Sequence, residues 1–298
     1  SGESLRNRAI TDTFEPGSTL KPFTIATAIN AGRITSETMI QTAPGSLTIG
    51  TATIHDAHAE GLLTVAQVIQ KSSNVGSAKI ALSMPSELMW DTFRSVGFGQ
   101  QPQLGFPGEA NGKVRPAKTW KPIEQATMAY GHGISVSLIQ LARAYSIFAR
   151  DGEMVPTSLL KVDAPPSGQH VISPDTAKAV RTMLEMAVQP GGTAPRAQIM
   201  GYRVAGKTGT AHKQENGGYA PNKYVSSFVG FAPVSNPRLI VAVMIDEATA
   251  GQYYGGTVAA PVFAKIMEGA LRTLGVPPDA PMKPIVLPAA GQEVKESI

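Results

Sequence analysis

Along the chain, apolar positions first recur at helical spacing in Phe23, Ile25, Ala28 and Ile29, and Gly32 then offers a stop. Pro22 restricts where this helix begins, because proline is tolerated only in a first turn; the start falls close to Ser18. Alternation around Gly50 in Ser46 to Ile54 predicts a small hairpin, and residues 64 to 71 an amphipathic helix that ends in Ser72-Ser73-Asn74. Two more helices follow at about 76 to 83 and 85 to 96. Gly97 to Lys121 is rich in Gly, Pro and Gln and reads as a long surface loop. Ser135 to Arg150 carries Leu138, Leu141, Ala142, Tyr145 and Phe148 on one face of a helix, and another helix is entered through Ser173-Pro174 and runs to about 188.

The pattern then changes from period 3.6 to period 2. Tyr202 to Lys213, Lys223 to Ala232 and Arg238 to Asp246 are successive strand-like segments with short turn-bearing connections, the signature of an antiparallel sheet. A closing helix at about 259 to 274 places Val262, Phe263, Ile266, Met267 and Leu271 on the face that should cover that sheet. Beyond Gly275 the chain is proline-rich and without period, so 276–298 reads as linker or disordered tail. The fold class is α+β: an antiparallel sheet flanked by helices, with a mostly helical subdomain, residues 1–275 forming the domain.

Composition narrows the chemistry. The chain has 298 residues, 42% of them hydrophobic, enough to bury a core. No apolar run reaches bilayer length, and no signal peptide opens the chain. Ser1 to Glu3 lead almost directly into the first helix, a start that reads as part of a longer protein. Zero cysteine excludes disulfides, thiol catalysis and cysteine metal sites. The 5 histidines show no metal spacing; His55 and His58 flank Asp56 in a polar, irregular segment. A net charge of +4 is spread without an aromatic-interleaved basic stripe, which argues against nucleic acid.

Candidate chemistry begins at the first helix. Ser18 and Lys21 are three apart, on one helical face, where an amine could take the serine proton if burial or a second cation lowers its pKa. The spacing alone is weak, since Ser158 and Lys161 repeat it in a strand-like run where they would point apart. Ser72-Ser73-Asn74 can place a hydroxyl and a carboxamide toward a cleft, although a turn-forming Ser-Asn pair is the simpler reading. Lys207-Thr208-Gly209-Thr210 puts a lysine on an otherwise apolar strand, which calls for an anion or cavity unless it is an edge charge.

The three motifs together are specific. With Asn7 to Asp12, Phe14 to Pro22, Lys71 to Gly76, Gly206 to Ala211, Val229 to Pro233 and Tyr253 to Gly256, the sequence resembles the transpeptidase domain of class B penicillin-binding proteins, more closely the division-type penicillin-binding protein 3 group of Gram-negative bacteria, from about Asn7 to Pro277. The resemblance implies the fold shared with serine β-lactamases and a D,D-transpeptidase that cross-links peptidoglycan stem peptides through a serine acyl-enzyme and is blocked by β-lactams. It implies Ser18 as nucleophile and Lys21 as base. Ser72 would relay the proton, Asn74 would orient Lys21 and the substrate amide, and Lys207 would add positive potential. Thr208, Gly209 and Thr210 would bind the substrate's terminal carboxylate, and the backbone N–H groups of Ser18 and Thr210 would form the oxyanion hole.

Tyr253 and Tyr254 would wall the cleft, or else simply pack a strand-to-helix corner; Tyr130 and Gly131 read as structural. The resemblance implies no metal and no cofactor. It implies donor and acceptor stem peptides, β-lactams, and division-machinery membrane proteins including a glycosyltransferase as partners, with the domain on the periplasmic face of an inner membrane and its anchor in a preceding part. His212 departs from the pattern, where relatives usually carry Arg or Lys. A serine β-lactamase or D,D-carboxypeptidase would share Ser18, Lys21 and Lys207 but pass the acyl group to water; a class A β-lactamase would also carry a dedicated deacylating glutamate, for which Glu124 is the nearest candidate and better suits a helix start. A non-catalytic β-lactam sensor or scaffold would keep the fold and acylate without turnover, and the intact set of three motifs argues against it.

Overall fold

A computed structural model describes residues 6–164, 166–215, 217–289 and 292–298. Its centre is the Lys21–Asn30 helix, preceded by a 3-10 turn over Gly17–Leu20 that holds Ser18. The turn precedes the helix because Pro22 can sit at its start without missing an N–H. Residues Lys21 to Ala28 are all buried. Phe23 is the anchor, its ring centroid 5.3 Å from Phe98, 5.4 Å from Tyr145 and 5.1 Å from Phe148, edge-on or tilted as aromatic quadrupoles prefer. The Tyr145 hydroxyl donates to the Thr19 carbonyl at 2.7 Å, tying this cluster to the serine turn.

The helices Val65–Lys71, Asn74–Leu82, Ser86–Ser95 and Pro174–Val188 form at or near their expected positions. Thr64 caps the first with a reciprocal Gln67 box, and Ser73 caps the second through the Gly76 N–H. The Ser46–Ile49 and Ala52–His55 strands form the expected hairpin. Gly97 to Lys121 contains no longer element than the 3-10 turn Ala117–Thr119.

Three expectations need correction. The helix expected over Ser135 to Arg150 begins at Leu138, because Ser137 forms a capping box with Gln140 while Ser135 and Val136 bridge to Lys113 and Phe14; it is split into Leu138–Ala144 and Ser146–Ala149. The run around Ser158 is no strand: the nearby ladder is Glu153–Met154 with Gln169–His170, and Ser158 closes a local turn on Leu160. On the Ala260–Thr273 helix, Phe263, Met267 and Leu271 are buried, whereas Val262 and Ile266 face outward.

Among the described residues the largest sheet is three-stranded and antiparallel, in the order Ala205–Glu215, Gly218–Ala232, Leu239–Asp246. The Ala205–Glu215 strand is an edge, and its free side faces the Gly17–Leu20 turn. The Ala260–Thr273 helix covers the other side of the sheet, with Phe228 and Phe263 rings 4.6 Å apart. A larger core lies between the helices and the sheet's opposite face. The catalytic cleft candidates therefore fall on the seam between a sheet edge and a buried helix start. Residues 276–289 and 292–298 have no regular secondary structure, yet they are not detached from the domain: Asp279 accepts from the N–H groups of Arg203 and Ser235, and Glu296 and Ser297 are buried.

Candidate active site

The fold brings together the three motifs that lie far apart in the chain. Lys21 Nζ lies 2.8 Å from Ser18 Oγ, 3.0 Å from Ser72 Oγ and 2.6 Å from the Ser72 carbonyl oxygen. Lys207 Nζ lies 2.9 Å from Ser72 Oγ and 3.2 Å from Thr208 Oγ1. Both lysines are 0% exposed. Burial, and then the Lys207 charge, hold the Lys21 amine well below the usual lysine range, while Glu296 and Asp56 act in the opposite sense. Burial lowers Lys207 to about 8, offset in part by Glu296. One nitrogen base thus sits on a serine hydroxyl in a site that penalises its own protonation.

Local backbone explains the placement. Ser72 takes a left-handed conformation (φ 60°) at the end of the Val65–Lys71 helix, which turns its hydroxyl back toward both lysines. Ser73 points away, donating to Asp56 Oδ2 at 2.6 Å and accepting from the Gly76 N–H at 2.8 Å. Asp56 Oδ1 also accepts from the Val75 N–H at 3.0 Å, so one carboxylate braces the whole turn. Asn74 Nδ2 donates to the His55 carbonyl at 3.3 Å; its Oδ1 is buried without a partner among the described residues, and no bond joins it to Lys21. The expected contact between Asn74 and Lys21 is therefore not formed here.

The serine turn is pressed between two backbones. A side-chain carbon at Gly131 would lie 2.1 Å from the Gly17 carbonyl oxygen, and one at Gly209 would lie 2.6 Å from the Pro16 carbonyl oxygen. Gly131 also adopts φ 89°, so glycine serves there both for conformation and for approach. The structural reading of Gly131 thus has a specific object, the nucleophile turn. Glu15 anchors the same region, accepting from the Gly133 N–H, Gln214 Nε2 and the Tyr219 hydroxyl.

Thr208 and Thr210 project to one side of the edge strand, as alternation requires. Thr193 lies 2.9 Å from the Thr208 hydroxyl, and the Gly255 N–H donates to Thr210 Oγ1 at 3.0 Å. Tyr253 stacks on Tyr224 with centroids 4.0 Å apart and planes 9° apart, and Tyr254 tilts against Tyr253 at 4.6 Å. Both tyrosines line a cavity of about 360 Å³ with Thr193, Arg196 and Glu296. His212 packs on the Tyr224 ring at 4.7 Å with Nδ1 3.3 Å from the Ala220 carbonyl oxygen, at the outer end of this aromatic row.

Glu124 pairs with Arg115 at 2.7 Å and accepts from the Lys121 N–H at 2.7 Å; it caps its own helix and supplies no deacylating carboxylate to the serine. Lys161 and Ser158 lie in an exposed loop away from the other motifs. Asp56, Thr193 and Glu296 belong to the site although no local pattern marks them.

Residues 1–268 match the family model described as the penicillin binding protein transpeptidase domain. A probable peptidoglycan D,D-transpeptidase PenA from Neisseria flavescens is 47% identical over 280 residues, 94% of this chain and 70% of that protein. The peptidoglycan D,D-transpeptidase FtsI of Escherichia coli K12 is 43% identical over 278 residues, 93% of this chain and 47% of its own length, so the chain spans about half of that relative. The apo structure of the transpeptidase domain of Burkholderia pseudomallei penicillin-binding protein 3 superposes with a TM-score of 0.90 at 52% identity, covering 93% of this chain and 85% of that one. A serine, a buried lysine and a lysine-bearing edge strand converging on one hydroxyl, on this fold and with these relatives, lead to one conclusion: the chain belongs to the family of penicillin-binding protein transpeptidase domains.

Proposed function

We propose that this chain carries out D,D-transpeptidation of peptidoglycan stem peptides in septal wall synthesis. The observation that carries the reading is the desolvated Lys21 amine 2.8 Å from Ser18 Oγ with Lys207 beside it. Ser18 Oγ attacks the carbonyl between the two terminal D-alanines, and Lys21 takes the hydroxyl proton. Charge on the carbonyl oxygen is met by the backbone N–H groups of Ser18 and Thr210. The intermediate collapses with cleavage of the C–N bond, and a proton passes through Ser72 to the departing D-alanine amine. Asn74 Oδ1 accepts from the substrate amide. Thr208 and Thr210, with the Lys207 charge behind them, receive the terminal carboxylate, and Gly209 permits the strand to approach. An amine on a neighbouring stem peptide then attacks the ester, forms the cross-link and restores Ser18.

A β-lactam enters as a donor mimic and leaves its opened ring on Ser18. The relatives named peptidoglycan D,D-transpeptidases support this assignment. The proposed division role, with a periplasmic domain, an inner-membrane anchor and glycosyltransferase and division-machinery partners, rests on the family resemblance of the sequence alone. Incubating the chain with a D-Ala-D-Ala pentapeptide and a D-amino acid acceptor tests it: exchange of the terminal residue, abolished in Ser18→Ala, is expected. Release of D-alanine with water as the sole acceptor would instead select a carboxypeptidase.

A further inference from the structure

Glutamate is rarely buried unless it is paired, and a segment without secondary structure has little reason to bury one. Yet Glu296 is 3% exposed and Ser297 is 5% exposed. The Glu296 carboxylate accepts from Thr208 Oγ1 at 2.9 Å through one oxygen and from Thr210 Oγ1 at 2.7 Å through the other, with Lys207 Nζ 3.8 Å away. Ser297 Oγ accepts from the Ala57 N–H at 2.9 Å, and Asn74 Nδ2 donates to the Ile298 backbone oxygen at 3.4 Å. At the outer end Glu293 pairs with Arg196 at 2.5 Å. One short stretch therefore touches the edge strand, the Ser-Ser-Asn turn and the rim of the cleft. Its carboxylate occupies the two hydroxyls that would receive the donor's carboxylate.

We propose that residues 292–298 are a ligand of this cleft in cis, an extended peptide whose internal glutamate binds where the donor carboxylate binds, so that the cleft recognises side-chain carboxylates within a peptide and must release its own before Ser18 is acylated. The inference rests on the assignment of Thr208 and Thr210 as the carboxylate clamp. Because the ligand is tethered, it competes at a high effective concentration without needing high intrinsic affinity. The apparent acylation rate is then the intrinsic rate multiplied by the fraction of molecules with the segment released. The segment makes no hydrogen bond to Ser18 or Lys21, so it competes at the carboxylate end of the cleft and leaves the nucleophile pair assembled. The Glu296 charge also favours protonated Lys21, so its release leaves that amine more readily neutral.

The test compares acylation of the 298-residue chain by a fluorescent penicillin with that of Glu296→Gln and Glu296→Ala, at limiting reagent and matched thermal stability. The second-order rate constant is expected to rise by about five-fold or more in both variants. A synthetic peptide of sequence Gln292 to Ile298, added at millimolar concentration, should bring the variants back toward the wild-type rate. Equal or lower rates in both variants overturn the proposal. Amide hydrogen exchange of residues 292–298 separates its failure from that of the acyl-enzyme reading. If no chain is acylated, protection in the wild type that is lost in Glu296→Ala still supports the bound segment, and absence of protection in the wild type overturns it.

Discussion

Lys21 and Lys207 share one acceptor: their amine nitrogens lie 3.0 and 2.9 Å from the Ser72 hydroxyl oxygen. Two ammonium groups so placed in a buried site repel each other, so the pair holds its charge unequally. Ser18 neighbours Lys21, held well below the usual lysine range, and the Thr208 hydroxyl neighbours Lys207, lowered to about 8.

That inequality gives a bell-shaped pH profile for acylation. The rate is expected to rise as Lys21 loses its proton and to fall as Lys207 loses its own near pH 8, because the proposed carboxylate site at Thr208 and Thr210 then lacks its positive charge. Lys207→Arg keeps the charge at all accessible pH values, so its basic limb should move above about pH 10 even where its maximal rate is lower. Stopped-flow acylation between pH 5 and 10 on both chains measures the limbs; a basic limb unmoved in the variant would assign it to another group.

Asp56 is expected to act through the Ser72 turn without touching substrate. It holds Ser73 Oγ and the Val75 N–H, and its charge favours protonated Lys21. Asp56→Asn keeps the shape and loses the charge-assisted bonds, so acylation should fall by roughly ten-fold. The acid limb should shift to lower pH in the same variant. A fall in thermal stability with an unmoved limb would mean a structural role only.

Gly131→Ala tests the support of the nucleophile turn. The added carbon meets the Gly17 carbonyl oxygen at 2.1 Å, and φ 89° adds backbone strain. Overpacking of this kind costs about 1 to 3 kcal/mol, and displacement of Ser18 should cut acylation at least about ten-fold. Denaturant titration and labelling of the purified variant report the two effects separately.

His132 carries a pH dependence of stability. It sits between the Tyr130 and Tyr219 rings, and burial together with the nearby Lys21 lowers it to about 4. The unfolded chain takes up this proton first, so stability falls as pH drops from about 6.5 toward 4, by about 3 kcal/mol at most. Glu15, raised by burial, works in the opposite sense over the lower part of that range. His132→Gln should therefore flatten the wild-type decline, as read from urea midpoints at pH 7 and 4.5.

Much of this site was readable along the chain because its chemistry is written in short motifs. Ser18 with Lys21, Ser72 with Asn74, and Lys207 through Thr210 each occupy one turn or strand, so spacing alone predicts their relative facing. The Pro174–Val188 helix was equally plain, since Ser173-Pro174 is a cap written in sequence. Long-range partners were not: Asp56 reaches Ser73 through tertiary structure, and nothing local separates it from a solvated turn residue. The Gly218–Ala232 strand begins earlier than expected because its polar first residues pair with the preceding strand at its exposed end. Glu296 was hidden most completely, since an aperiodic, proline-rich stretch gives no sign that its last residues enter a cleft.

The proposed mechanism stands on acylation at Ser18. Intact-mass spectrometry after exposure to benzylpenicillin reads it out, on wild type and Ser18→Ala followed over hours. One penicilloyl adduct, slowly released, is expected on the wild type and none on the variant. No adduct on the wild type, or an equal adduct on Ser18→Ala, would contradict it.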